Sequence, residues 1–112
     1  MLNSGYVEIT GIIRTDVEVI ISKYNVKYGI ILVEKVNEHS NPKQEHRSFR
    51  FYVFIWNYEL LNRYLHSLKY GKRVVVRGEF EIIGETYYKY AWFSKLVVNV
   101  RKEDELIILD GI

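Results

Sequence analysis

At 112 residues the chain is one domain, long enough to bury a core without help from a metal or a disulfide. It has no cysteine, which excludes disulfides and thiolate metal sites and fits a reducing compartment. A net charge of +2, from 16 Lys and Arg against 14 Asp and Glu, excludes wholesale basicity, so any nucleic-acid role must come from how the charge is arranged.

In chain order, the first strand is expected from Tyr6 to Ile13, with Val7, Ile9, Gly11 and Ile13 on one face and Glu8, Thr10 and Ile12 on the other. The apolar alternation resumes at Val17, Val19 and Ile21, so this strand is expected to continue past a kink near Thr15 and Asp16. A second strand covers about Lys27 to Lys35, and a loop with the single proline, Pro42, follows. A third strand runs from Ser48 to Trp56, with Phe49, Phe51, Val53 and Ile55 on one face and Arg50, Tyr52, Phe54 and Trp56 on the other. Asn57 reads as a helix N-cap, and Leu60, Leu61, Tyr64, Leu65 and Leu68 recur at helical spacing until Gly71. A fourth strand, Arg73 to Ile83, a tight turn at Gly84-Glu85, and a fifth strand from Tyr87 to about Val100 complete the body. Leu106 to Leu109 offers a further strand segment in a short tail.

Three strands, one helix and two strands is the chain order of the oligonucleotide-binding (OB) fold. The expected class is all-β, a five-stranded Greek-key barrel with one α-helix between the third and fourth strands. One domain spans 1–112, with its body at about 6–100 and a short extension at 101–112. The alternative is a small sheet with a helix on one face.

Local motifs then take on meaning. Gly11-Ile12-Ile13-Arg14-Thr15-Asp16-Val17-Glu18 resembles the first-strand motif of bacterial and phage-type single-stranded DNA-binding proteins, with Val17 where that family has proline. Phe54-Ile55-Trp56-Asn57, the leucine-rich helix, and Lys69 and Gly71-Lys72 resemble that family's third strand, helix and lysine-glycine turn. Arg73-Val74-Val75-Val76-Arg77-Gly78-Glu79-Phe80 resembles its fourth strand. The resemblance implies single-stranded DNA wrapped on barrel faces by a homo-oligomer, a tetramer or dimer, serving replication, recombination or repair. Two departures stand out. Arg50 replaces the family's third-strand tryptophan, and the long acidic-tipped tail that recruits replication proteins is missing. A phage or mobile-element form, or a tail-less primosomal relative, fits that loss.

The aromatic content, 15% of the chain, serves either a small β core or exposed stacking platforms. Binders of single strands pair a basic groove with flat rings that take bases of any kind. Phe49, Phe51, Val53 and Ile55 are expected to face inward, so Arg50, Tyr52, Phe54 and Trp56 face outward, and such a row needs a cover. Trp56 is the first candidate for stacking. Phe54 is divided between DNA and a subunit interface, and Arg50 is a candidate phosphate contact. Arg73 and Arg77 share the outward parity of the fourth strand. Tyr87, Tyr88, Lys89 and Tyr90 follow the expected turn as further candidates, against simple cross-strand packing. Lys27 and Tyr28, with Lys43 and Arg47 in the loop, complete the set, against a solvated loop of mixed charge.

His39, His46 and His66 show no metal spacing, and there is no phosphate-binding glycine loop or nucleophile elbow. No enzyme, metal site or cofactor is expected. With no signal peptide and no apolar stretch near the ~20 residues that span a bilayer, a cytoplasmic protein without membrane contact is expected. A second function class stays open: a protein-interaction module of the same fold, such as a primosomal or replication accessory protein. RNA binding by the same fold is a third.

Overall fold

The computed structural model describes residues 4–35, 49–88 and 91–109, with side-chain detail left aside at 4, 83–88 and 91–95. The described chain is mostly β with one helix: β1 (Ser4–Ile13), β2 (Glu18–Ile21), β3 (Lys27–Lys35), β4 (Phe49–Ile55), α1 (Tyr58–Tyr64), β5 (Arg73–Tyr88), β6 (Ala91–Val100) and β7 (Leu106–Ile108). The strands form one sheet in the order β1-β3-β4-β6-β5-β7, and β5 also pairs with β1. The pairings from β1 through β3, β4, β6 and β5 therefore return to β1. All are antiparallel except β4 with β6.

Alternation places one side chain in two inside this circuit. Ile9, Ile13, Ile31, Val33, Phe51, Val53, Ile55, Val74, Val76, Val98 and Val100 are buried together. Leu60 and Leu61 from α1, with Leu68 just after it, close one end of this core. Asn57 caps α1 as expected: its Oδ1 accepts from Leu60 N at 3.1 Å, and its amide donates to the Arg101 carbonyl at 3.2 Å, tying the helix to the end of β6.

The first-strand motif now has a mechanical role. Asp16 Oδ1 accepts from Tyr70 N at 2.8 Å, while Ile13 and Gly71 exchange backbone hydrogen bonds with the facing chain. The segment after the helix is thereby laced to the end of β1. Gly71 makes the bend with φ +90.

Five expectations need correction. Phe49 does not join Phe51 in the core: it opens β4 opposite Lys35 at the end of β3, beyond the buried stretch, and is 46% exposed. The first strand does not run on past Asp16. Its continuation is a separate strand, β2, which among the described residues pairs with β3 alone. The α-helix ends at Tyr64 rather than near Gly71, and Ser67 and Leu68 both donate to the Tyr64 carbonyl in turns beyond it. No hairpin turn occurs at Gly84-Glu85. The β5–β6 ladder passes through with a register shift between Ile83 and Glu85, so a bulge absorbs the glycine. Tyr87 and Tyr88 consequently close β5 instead of opening the next strand. The tail segment does form a strand, β7, on Val74–Val76 of β5. Glu105 secures it: its carboxylate accepts from Arg101 N and Lys102 N, both at 2.8 Å, and from Tyr6 Oη at 3.1 Å.

Candidate nucleic-acid interface

The outward row of β4 meets the outward row of β3 in register. Glu34 lies opposite Arg50, Leu32 opposite Tyr52, and Ile30 opposite Phe54. One step further, Tyr28 meets Trp56, their ring centroids 4.6 Å apart at 30°. Phe54 joins both, 5.8 Å from Tyr28 in a tilted contact and 5.8 Å from Trp56 edge-on. Three rings thus form one cluster on the outside of the sheet, each half-buried by the others. Tyr52 continues the row, also half-buried.

The indole is held from the far side. Trp56 Nε1 donates to Asn99 Oδ1 at 2.8 Å. The Asn99 amide in turn donates to Glu81 Oε1 at 3.1 Å and to the Glu79 carbonyl at 3.4 Å. Asn99 is buried although it sits on the outward side of β6, opposite Phe54. Its amide supplies the partner that an indole N–H needs when its ring is partly desolvated.

At the other end of the row Glu34 stands between two guanidinium groups. Arg14 Nε donates to Glu34 Oε2 at 2.5 Å, and Arg50 Nε lies 3.5 Å from Oε1. The hydrogen bond that Arg14 donates to this carboxylate holds its guanidinium pKa above the ordinary arginine value. Arg50 is the more exposed of the two arginines. Lys27 is exposed at the Trp56 end, its Nζ 5.3 Å over the ring of Tyr58 on the first turn of α1. Lys23 likewise stands 5.1 Å over Tyr24 at the tip of the β2–β3 hairpin.

Of the candidates read from the sequence, the structure brings together Tyr28, Tyr52, Phe54 and Trp56, with Arg50 and Lys27 at the two ends. Arg77 does not join them. It lies on the β1–β5 side, where its Nε donates to Glu8 Oε1 at 2.8 Å and Nη1 reaches the Asp104 carbonyl at 3.4 Å. Arg73 is on the same side, in register with Ile12 of β1. Outward parity is shared by all flanks of the sheet, so parity alone could not separate these arginines from the aromatic face. Tyr87 and Tyr88 lie in register with Trp92 and Ala91. Lys43, Arg47, Lys89 and Tyr90 lie outside the described residues.

Sequence reading missed Asn99, Glu34, Arg14 and Tyr58. Asn99 had a signal, a lone amide within the apolar run Leu96-Val97-Val98-Asn99-Val100. Glu34 and Arg14 carried none, since 20 residues separate them. Among the described residues no group of side chains is placed to hold a metal ion, and no helix is long and apolar enough to cross a membrane.

No protein-family model matches this chain, and no curated protein does either. Solved structures do share its fold. A Plasmodium falciparum single-stranded DNA-binding protein in complex with single-stranded DNA superposes with a TM-score of 0.68 at 15% identity, covering 98% of this chain and 96% of that one. A mitochondrial single-stranded DNA-binding protein from S. cerevisiae gives 0.65 at 15% identity, with 96% of each chain covered. The small single-stranded DNA-binding protein of Streptomyces coelicolor gives 0.66 at 13% identity, covering 87% and 89%. This chain has the fold of those three proteins along nearly its whole length.

Proposed function

We propose that this protein binds single-stranded DNA without sequence preference, on the outer face of β3 and β4 of an OB-fold Greek-key barrel. The observation that supports this most is the cluster of Tyr28, Phe54 and Trp56, three rings on the outside of a sheet with a cation at each end of their row. Stacking of bases on such rings contributes about 1–3 kcal/mol per base, and it tolerates any base. Duplex DNA offers its bases only at groove edges, so the same face suits unpaired strands. The fold shared with three single-stranded DNA-binding proteins supports the same reading. A role in replication, recombination or repair follows from such binding.

Tryptophan fluorescence titrated with oligo-dT at low ionic strength tests the proposal. Binding should quench the emission and weaken as salt rises, by a slope of about 0.7 per phosphate contact in a log–log plot. Trp56→Ala should lower affinity at least about fivefold, the low end of the stacking range, with the fold intact by circular dichroism. Wild-type protein that ignores oligo-dT under these conditions would leave the protein-interaction reading in its place.

A further inference from the structure

We propose that the bound strand lies lengthwise along β3 and β4, between an Arg14–Arg50 end and a Lys27 end, with Tyr58 as a stacking position beyond Trp56. This deepens the single-stranded DNA reading and rests on it. The argument comes from where the charges stand around the aromatic row. At one end Arg14 and Arg50 converge on Glu34. At the other end Lys27 lies over the ring of Tyr58, a residue that is 51% exposed, and Lys23 lies over Tyr24 at the hairpin tip. The two sides are different. β2 places Glu18 beside Ile30, and β5 places Glu79 and Glu81 beside Asn99 and Val97. Arg101 lies 3.4 Å from Glu79, so that side is a mixed pair rather than a cationic groove.

A phosphate backbone laid across the strands would pass Glu18, the rings and then Glu79, meeting a carboxylate on each side. Laid lengthwise, it meets one carboxylate, Glu34, already flanked by Arg14 and Arg50, then apolar or aromatic surface, then Lys27. Like charges brought together cost energy, and lysine or arginine at a phosphate releases counterions, so the second path is favoured. From Arg50 to Trp56 the row measures about 20 Å at the usual rise per strand residue, room for a short run of nucleotides. Tyr58 continues it. Its ring is covered by an ammonium group, a contact worth little at an exposed site, so a base can take the ring while Lys27 turns to the adjoining phosphate.

The test compares ends with sides in oligo-dT titrations, each variant checked for an unchanged circular dichroism spectrum. Tyr58→Ala and Lys27→Glu should each weaken binding about fivefold or more, and Lys27→Glu should also reduce the salt slope by about 0.7. Glu18→Gln and Glu79→Gln should change affinity less than about twofold, since a lengthwise backbone stays clear of both sides. If wild type binds and is quenched while Tyr58→Ala and Lys27→Glu bind equally well, the lengthwise path is wrong and the function stands. Side variants that tighten binding about tenfold, with silent end variants, would mean that the strand crosses the sheet. If wild type does not bind, the reading of function fails and takes this path with it.

Discussion

Trp56 depends on Asn99 for its orientation. A tryptophan just past the end of a strand has rotamers to spare, and the 2.8 Å hydrogen bond to Asn99 Oδ1 selects one that lays the ring beside Tyr28. The amide is itself fixed by Glu81 and the Glu79 carbonyl, so the restraint passes from β5 through β6 to the ring. Asn99→Leu keeps the volume and removes the partner. It should lower oligo-dT affinity by about 1 kcal/mol, the net worth of one hydrogen bond, and less than Trp56→Ala does. The emission of Trp56 should shift at the same time, because its N–H loses a fixed acceptor. An affinity loss equal to that of Trp56→Ala, with unchanged emission, would contradict a positioning role. Glu34 illustrates a different arrangement: one carboxylate shared by two arginines.

Elements are held in register by close backbone approach at a few points. Gly78 of β5 has φ +153, and a Cβ there would strike the Asn99 carbonyl oxygen. The approach lets β5 pair with β1 on one edge and with β6 on the other at the same level, where Val7 and Asn99 lie on neighbouring strands. Gly78→Ala should therefore cost about 2 kcal/mol or more, through strain at a conformation that residues with a Cβ avoid. Thermal unfolding of the variant against wild type checks this, and an unchanged midpoint would show that the strands can part without penalty. Because Asn99 belongs to the same junction, residual folded protein should also bind DNA less tightly. Gly11 has a similar place between β1 and β3, where a Cβ would meet the Glu34 carbonyl and Val33.

At the scale of the molecule, the aromatic face on β3 and β4 and the β1–β5–β7 side are distinct surfaces. The second exposes Tyr6, Ile107 and Leu109, and one of its arginines, Arg77, is taken by Glu8. Such a side suits a second copy of the chain better than a phosphate backbone, and we propose that the protein is a homo-oligomer, a dimer or tetramer, through this side. Sedimentation or light scattering should give a mass of at least two chains at micromolar concentration. Ile107→Glu should reduce that mass while leaving tryptophan quenching by oligo-dT in place. A monomer at every concentration would refute the oligomer and leave the aromatic face untouched.

Much of this was legible in the chain. The alternation in Phe51, Val53, Ile55 against Tyr52, Phe54, Trp56 is a local property of strands, so it assigned these inward and outward faces before any pairing was known, and it failed only at Phe49, where the strand begins outside the core. The Asn57 cap and the leucines after it are local too, and they placed the helix between the right strands. What the chain left open was set by pairing across long separations. Whether Gly84 turns or bulges depends on the partner strand, and the partner carried β5 through to Tyr88. Which outward arginines stand beside the rings depends on strand order around the closed circuit, which placed Arg50 with them and Arg77 with Glu8. Sequence therefore determined the periodicity and the composition of each face. Only the tertiary structure decided which faces adjoin, because the energy of pairing belongs to two strands together and is written in neither one alone.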